Sequence, residues 1–273
     1  MKSRADLHLH STFSDGTLTP TQLVRAAKKK GLKTIVLTDH DSVGGCAEGR
    51  AAATKEGLRF GFGIEINTRE ADMVHILGYG IDPESPALTE RLSEFRRRRR
   101  ERIRRIVGRL RDEHQIDIDF DEVRVKSTET LGRPHVADVL IRKKAVRSRS
   151  EAFQKYLQRG AAAYIDPLGP TAEEAIEAIK GAGGWASLAH PLTTAYKERL
   201  EAWTRAGLEG FEVYYGSHTG PQTARLLATA EKFDLIPTGG SDYHGPGSGR
   251  ESIGGIAIPD DVFARFEDRL KLS

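Results

Sequence analysis

Histidine, aspartate and glutamate residues recur at the ends of short apolar segments along this 273-residue chain. The stretch DLHLHSTFSDG, residues 6–16, places His8 and His10 two positions apart and adds Asp15 after them. Side chains two apart on a strand point to the same face, so both imidazoles can reach one ion. Imidazole and carboxylate groups without thiolates suit Zn, Mn or Fe. Taken alone, however, such a pair belongs to an ordinary polar strand more often than to a metal site, so further evidence is needed.

The same residue types follow other apolar segments. The candidate ligands are His8, His10, Asp15, His40, Glu65, His75, His190, Asp242 and His244. A single histidine in a strand, such as His75, usually has only a structural role. The prediction of a metal site therefore rests on the recurrence of these residue types at several strand ends. An ion with one open coordination position takes about three protein ligands. The set predicts two or three divalent ions (Mn, Zn or Fe), an arrangement suited to hydrolysis of phosphate esters.

Most of the chain alternates between apolar segments and capped amphipathic segments. Strands are predicted at 5–10, 34–41, 58–67, 72–80, 185–191, 210–218 and 235–245, and helices at 21–30, 171–184, 196–207 and 221–233. This alternation indicates an α/β fold with a mainly parallel sheet, open or closed. In such folds the carboxyl ends of the strands share one side, which would bring the candidate ligands together.

Residues 84–165 interrupt this alternation. A long helix is predicted over 88–114, because apolar residues recur there at helical spacing. We predict a helical insertion over 84–165 in an α/β domain formed by 1–83 and 166–273. The arginines at 96–100 cannot share one face, since helix residues step by about 100°. A solvated helix is favoured for them, and the alternative is an electrostatic funnel for a phosphate-rich substrate.

The composition is that of an ordinary globular protein, with 38% hydrophobic residues and a net charge of +3. Cys46 is the single cysteine of the sequence, which excludes an intrachain disulfide and a thiolate zinc cage. The first residues lack the apolar core of a signal peptide, and there is no run of about 18 apolar residues. We therefore predict a cytoplasmic protein without a membrane association.

Several motifs, taken in order, resemble the PHP family, named for polymerase and histidinol phosphatase. They are DLHLHSTFSDGTLTP, LTDHDSVGG, GIEIN, HILGYG, AHP and GGSDYHG, and the likeness covers nearly the whole chain. It is closest to a bacterial phosphoesterase branch that acts on 3′,5′-bisphosphonucleotides and on the 5′ ends of short RNA. The resemblance implies a distorted (β/α)7 barrel with a helical insertion and a trinuclear metal centre at the carboxyl ends of the strands.

Carried over motif by motif, the resemblance implies three sets of ligands. One ion would take His8, His10, Glu65 and Asp242, a second Glu65, His75 and His190 with Glu65 bridging, and a third Asp15, His40 and His244. Asp15 stands where several family members have a histidine. Asp39 is expected to orient a ligand rather than to bind an ion itself.

The motif LGRPHVADVL resembles the Arg-Pro-His element of the same branch. Arg133 can bind a phosphate through two hydrogen bonds, and His135 can donate a hydrogen bond or a proton. Together with Glu65, these two residues are the predicted catalytic residues. His218 follows the segment GFEVYY and is predicted to contact the substrate from the side of the metals.

The favoured function is hydrolysis of a phosphate monoester of a small nucleotide by a metal-bridged hydroxide, with pAp converted to AMP and phosphate. The alternatives are a 5′–3′ exoribonuclease on short RNA, a histidinol-phosphate phosphatase and a non-catalytic metal-binding module. The Arg-Pro-His element, suited to a second phosphate, argues against histidinol phosphate. The expected partners are a small phosphorylated nucleotide and, for the exoribonuclease alternative, short RNA, with no obligate protein partner.

Overall fold

The computed structural model of the chain describes residues 4–70, 73–124 and 128–273. The strands in these ranges are β1 (Ala5–Leu9), β2 (Thr34–Leu37), β3 (Arg59–Asn67), β4 (His75–Tyr79), β5 (Trp185–Leu188), β6 (Leu208–Tyr215) and β7 (Ile236–Gly240). The helices are α1 (Pro20–Lys29), α2 (Cys46–Glu56), α3 (Pro86–Asp112), α4 (Phe120–Val123), α5 (Arg133–Arg142), α6 (Arg149–Ala152), α7 (Ala172–Gly181), α8 (Leu200–Ala206), α9 (Gly220–Lys232) and α10 (Asp260–Ala264). Among these described helices, none has the length and apolar character needed to cross a membrane.

The strands follow one another in chain order across a single sheet. β1, β2 and β3 are parallel, as are β5, β6 and β7, whereas β4 is antiparallel to both of its neighbours. A bridge between Leu9 and Tyr243 brings β1 beside the end of β7, and the His10 N–H donates a 3.1 Å hydrogen bond to the Tyr243 carbonyl. The sheet is therefore a nearly closed barrel, and the predicted distorted (β/α)7 barrel with a helical insertion is confirmed.

The reversed direction of β4 departs from the parallel pattern of the other strands. The predicted strand segment 72–80 begins at Asp72, which lies outside the described residues, and β4 itself begins at His75. His75 pairs with Asn67, the last residue of β3. Because β4 runs opposite to its neighbours, its first residue lies at the edge of the barrel where β3 and β5 end.

Helix α2 is a part of the fold that the sequence pattern does not predict. Its buried face is made of small residues, among them Gly49, Ala52 and Ala53. Small residues give little hydrophobic periodicity, which is the main signal for an amphipathic helix. Gly49 allows the helix to lie on the ring of Phe60, where an added Cβ would stand 2.5 Å from a ring atom. Close packing against β3 therefore stabilises this helix.

Helix α3 joins the barrel to the insertion. Its first half contributes Leu88, Leu92 and Phe95 to the apolar core shared with α7 and the strands. Its second half contributes Ile103, Ile106, Val107 and Leu110 to a separate core with α5. The insertion thus has an apolar core of its own, while the domain boundaries at 84 and 165 stay a prediction.

Side-chain contacts complete the seam between β1 and β7. The buried carboxylate of Asp6 accepts hydrogen bonds from the N–H of Ser241 at 2.9 Å and from the N–H of Gly254 at 2.8 Å. Gly240 permits the close approach, because a Cβ atom there would lie 2.3 Å from the Cβ of His8. The loop that follows β7 is thereby fixed beside β1.

Candidate metal centre

The nine predicted ligands converge at one edge of the barrel. Most of them lie at or just beyond the carboxyl end of a strand, and His75 reaches the same edge as the first residue of the antiparallel β4. Asp15 reaches it from the loop after β1. His75 is half-buried, and the other eight are buried. The structure therefore brings together residues that are up to 236 positions apart, the interval from His8 to His244.

The carboxylate of Glu65 lies at the middle of this cluster. Its Oε1 is 2.8 Å from Nδ1 of His75 and 3.1 Å from Nε2 of His190. Its Oε2 lies within 3.0–3.2 Å of a nitrogen on three further imidazoles, those of His8, His10 and His40. Ligands about 2.1 Å from one tetrahedral ion are separated by roughly 3.4 Å, so these spacings suit shared ions.

The candidate ligand atoms fall into groups whose members lie within 4.8 Å of one another. The groups are His8, His10, Glu65 and Asp242; His10, Asp15, His40 and His244; and His40, Glu65 and His75. The first two contain the sets that the family resemblance implies for the first and third ions. In the last, His40 takes the place expected for His190, although His190 also contacts Glu65. The assignment of ligands to individual ions stays a prediction.

Unpartnered buried atoms test whether this cluster fits metal ions. Within the described residues, the members of the cluster with a buried atom that lacks a hydrogen-bond partner are His8, His10, Asp15, His40, Glu65, Asp242 and His244. A buried polar atom left without a partner costs about 1–3 kcal/mol, and more when it is charged. Divalent cations would satisfy these nitrogen and oxygen atoms together. The donor set therefore fits metal ions of the kind predicted.

The carboxylates of the cluster are held in their ionised form. Burial alone would raise the pKa of Glu65, but the surrounding imidazoles hold this pKa well below its ordinary value. Burial lowers the pKa of His75 to about 4, which keeps its ring neutral. For His10, burial is outweighed by Asp242 and Glu65, which raise its pKa to about 9. A metal ion binding at His10 must therefore displace a proton.

Glu212 is a functional residue that the sequence analysis missed. It lies fully buried on β6, and its Oε1 is 2.9 Å from Nδ1 of His8. Its Oε2 accepts a 2.6 Å hydrogen bond from the N–H of His190. One carboxylate thus orients an imidazole and fixes the backbone that bears another. The available signal was a glutamate inside the otherwise apolar segment FEVYY.

Asp39 contacts the cluster through serine hydroxyls. Its Oδ1 accepts hydrogen bonds from the N–H of Ser11 at 2.7 Å and from the hydroxyl of Ser14 at 2.6 Å. The Ser14 hydroxyl lies 3.5 Å from Nδ1 of His10. Asp39 therefore holds the loop after β1 and reaches His10 through Ser14, a position that supports the predicted orienting role.

A cavity of about 190 Å³ extends from the cluster to the insertion. Its lining at the cluster includes Asp15, His40, His75, His190 and Asp242, and at the insertion it includes Arg102, Arg133, Phe153 and Tyr164. One compartment therefore connects the candidate metal centre with a pair of cationic side chains.

The two arginines at the far end of the cavity are enclosed by aromatic rings. The guanidinium of Arg133 lies 5.4 Å from the centre of the Phe153 ring, and that of Arg102 lies 5.5 Å from the Tyr164 ring. Within the described ranges, Nη2 of Arg102 is buried and has no hydrogen-bond partner. Burial and the nearby charge of Arg133 lower the pKa of Arg102 to about 9. An anion bound between the two guanidinium groups would give Nη2 of Arg102 a hydrogen-bond partner. It would also compensate the two neighbouring positive charges.

Comparison with known proteins identifies the family. Residues 6–158 match the PHP domain. The chain belongs to the PHP family. It is 37% identical to a 3′,5′-nucleoside bisphosphate phosphatase from Chromobacterium violaceum, over 91% of this chain and 90% of that protein. It is 33% identical to a 5′–3′ exoribonuclease from Haemophilus influenzae, over 98% of this chain and 99% of that protein.

A solved structure agrees with these relatives. The fold superposes on a metal-dependent phosphoesterase from Bifidobacterium adolescentis with a TM-score of 0.86 and 34% identity, covering 97% of this chain and 96% of that one. The predicted resemblance to the PHP family and to its bisphosphate phosphatase and exoribonuclease branch is therefore confirmed. The protein is a metal-dependent phosphoesterase, a hydrolase of phosphoester bonds.

The Arg-Pro-His element of this PHP protein lies at the start of α5, and its histidine is buried there. Nδ1 of His135 accepts a 2.9 Å hydrogen bond from the N–H of Gly132. The neutral ring therefore carries its proton on Nε2. Burial lowers the pKa of His135, which favours this neutral form. Arg133 lines the cavity together with Gly132 and Pro134, whereas the buried His135 does not lie among the lining residues.

The structure places His218 in the turn that follows β6. It does not lie among the residues that line the cavity. Its Nδ1 is 2.9 Å from the carbonyl of Val213, and its ring centre lies 5.2 Å from that of Tyr215. These contacts hold the turn after β6, and the contact of His218 with substrate stays a prediction without support from this geometry.

The arginines of helix α3 lie on two different faces, one toward the barrel and one toward solvent. Arg96, Arg99 and Arg102 lie three residues apart on the inner side of α3. Nη1 of Arg96 donates a 2.9 Å hydrogen bond to the carbonyl of Asp41, and Arg99 forms a 2.9 Å ion pair with the Asp41 carboxylate. Arg97 is exposed, and Arg98 pairs with Glu94 one turn away. The outer arginines fit the solvated-helix interpretation. Of the inner ones, Arg96 and Arg99 hold α3 against Asp41, and Arg102 contacts the carbonyl of Ile165.

Replacing Glu212 by glutamine is expected to weaken Mn²⁺ binding about 10–100-fold, as measured by isothermal titration calorimetry. Carboxylates that orient metal-binding imidazoles typically contribute this much to metal affinity. Glu209→Gln is the matched control, because Glu209 lies on the same strand with its side chain 41% exposed and paired with Arg269. Equal Mn²⁺ affinities for the two variants would show that Glu212 does not orient the ligands.

Proposed function

We propose that this PHP phosphoesterase hydrolyses the 3′-phosphate of 3′,5′-bisphosphonucleotides, converting pAp to AMP and phosphate. The observation that carries the proposal is the single cavity that joins the metal centre to Arg102 and Arg133. A substrate with a phosphate at each end matches this distribution of charge. The relative from Chromobacterium violaceum, named a 3′,5′-nucleoside bisphosphate phosphatase, supports the same substrate class.

In the proposed reaction, a water oxygen bonds to phosphorus while the bond between phosphorus and the ribose O3′ breaks. The leaving oxygen takes up a proton, and the products are a nucleoside 5′-monophosphate and inorganic phosphate. Two or three divalent ions (Mn, Zn or Fe), held by the nine candidate ligands, would supply an activated water and positive charge beside the phosphoryl oxygens. His135, with its proton on Nε2, stays the predicted donor to the substrate, but its absence from the cavity lining gives this role no geometric support.

Arg133 and Arg102 are the proposed receptors for the second phosphate. A guanidinium group matches the geometry of phosphate oxygens and can bind two of them at once. Arg133 already donates a 3.0 Å hydrogen bond from Nη1 to the Leu157 carbonyl, which fixes its orientation. Arg102 donates from Nε to the carbonyl of Ile165 at 2.9 Å, so its Nη2 remains for the ligand.

A second candidate function is 5′–3′ exoribonuclease activity on short RNA. The relative from Haemophilus influenzae, which aligns with 98% of this chain, is named for that activity. The same metal centre would then hydrolyse a phosphodiester, with the terminal 5′-phosphate held by the arginine pair. Both activities can belong to one active site, because they differ only in what is attached to the scissile phosphate.

Turnover of a small substrate panel tests the proposal. With added Mn²⁺, we expect phosphate release from pAp to exceed that from histidinol phosphate, and EDTA should abolish it because the activity requires divalent ions. A 5′-phosphorylated dinucleotide in the same panel measures the exoribonuclease activity. Absence of phosphate release from pAp, or release that persists in EDTA, would contradict the proposed function.

Replacing Arg102 by glutamine should selectively impair substrates that have two phosphates. Losing a hydrogen bond to a charged group costs about 1.5–3 kcal/mol, so kcat/KM for pAp should fall roughly 10–150-fold. For 3′-AMP, which lacks the second phosphate, kcat/KM should change less than about threefold. The control is Arg97→Gln, an exposed position on the same helix. An equal loss of kcat/KM for both nucleotides would show that Arg102 stabilises the insertion and does not bind the second phosphate.

A further inference from the structure

Arg250 reaches the metal centre from the loop that follows β7. Gly245 and Arg250 form an antiparallel bridge, and the Arg250 carbonyl accepts a 2.9 Å hydrogen bond from the N–H of His244. The loop therefore doubles back and fixes Arg250 beside a candidate ligand. Its side chain is 34% exposed and lines the cavity next to Asp242.

The two oxygens of Asp242 have different surroundings. Nη1 of Arg250 donates a 2.5 Å hydrogen bond to Oδ2, and the hydroxyl of Tyr215 donates to the same oxygen at 2.8 Å. Oδ1 has no hydrogen-bond partner among the described residues and lies 3.3 Å from Nε2 of both His8 and His10. Arg250 and Tyr215 thus turn Asp242 so that one oxygen faces the imidazoles.

The rest of the Arg250 guanidinium remains available. An arginine has five N–H donors, and the contact with Asp242 uses only Nη1. Within the part of the chain that the structure describes, Nε and Nη2 of Arg250 make no hydrogen bond, and neither atom is buried. A cationic edge is therefore open to the cavity at the metal end, where the phosphate to be hydrolysed would bind.

We propose that Arg250 is a catalytic residue whose free edge donates hydrogen bonds to the phosphoryl group that is hydrolysed. This rests on the proposed function, because it assumes that a phosphate occupies the metal end of the cavity. Negative charge spreads over the equatorial phosphoryl oxygens in the transition state, and fixed donors aimed at that charge accelerate the reaction. Arg250 differs from Arg102 and Arg133, which lie at the opposite end and are assigned to the second phosphate.

The role of Arg250 can be measured by the binding of inorganic phosphate to the full chain at saturating Mn²⁺, using isothermal titration calorimetry. Arg250→Gln removes the charge, and Arg250→Lys keeps a charge but has only one donor group. Tyr215→Phe removes the other hydrogen bond to Oδ2 of Asp242 and leaves the cationic edge in place. Arg265→Gln is the control at an exposed position. Bound Mn²⁺ is counted for each variant by elemental analysis.

We expect Arg250→Gln to retain its Mn²⁺ and to bind phosphate at least about tenfold more weakly, with Arg250→Lys in between. Its kcat should fall roughly 10²–10³-fold on every phosphoester that the protein hydrolyses, with or without a second phosphate. Tyr215→Phe, which keeps the cationic edge of Arg250, should lose much less phosphate affinity than Arg250→Gln. Should Arg250→Gln fail to fold, Arg250→Lys still reports a loss of phosphate affinity.

Unchanged phosphate affinity in the Arg250 variants at full Mn²⁺ occupancy would overturn the proposal. The proposal would also be overturned if Arg250→Gln and Tyr215→Phe lost Mn²⁺ to the same extent and both retained their phosphate affinity. Arg250 would then be a positioning residue for Asp242. The binding assay is independent of the nucleotide. If pAp is not a substrate but phosphate affinity depends on Arg250, the bisphosphonucleotide proposal fails and this one stands.

Discussion

A fully buried carboxylate, that of Glu65, lies at the mouth of the barrel with five imidazoles within 3.2 Å. Burying an uncompensated charge costs on the order of several kcal/mol, so this arrangement requires positive charge around the carboxylate. The imidazoles come from β1 and the residue that follows it, from β4, and from the loops after β2 and β5. The closure of the barrel and the reversed direction of β4 place these segments around one carboxylate, and divalent ions complete its neutralisation. Metal chemistry therefore follows from the way the sheet closes.

Much of this centre could be predicted from the sequence, because its ligands follow strand ends. The spacing of His8 and His10 and the pattern around Asp242 and His244 are local features that a short window reveals. The direction of β4 could not be predicted in this way, because a short apolar segment does not show whether its strand is parallel or antiparallel to its neighbours. His75 therefore looked like a residue inside a strand, whereas it lies at the edge that bears the metals.

The residues that were missed act through partners distant in sequence. Glu212 contacts His8 across an interval of 204 residues, and Asp41 meets Arg99 across 58. Arg250 is close to Asp242 in sequence, but its contact depends on a loop that doubles back, and no turn over residues 246–249 was among the predictions from the sequence. The inner arginines of α3 were likewise hidden inside a run of identical residues, where periodicity alone cannot show which members face inward.

The most direct test of the account is the number of metal ions bound per chain in the wild type and in Glu65→Gln, measured by elemental analysis after loading with Mn²⁺. Glu177→Gln, with its side chain 70% exposed, is the control. If Glu65 is shared between ions, the wild type and the control should hold two or three, and Glu65→Gln should lose at least two together. Loss of one ion or none in Glu65→Gln would contradict the central role of this carboxylate.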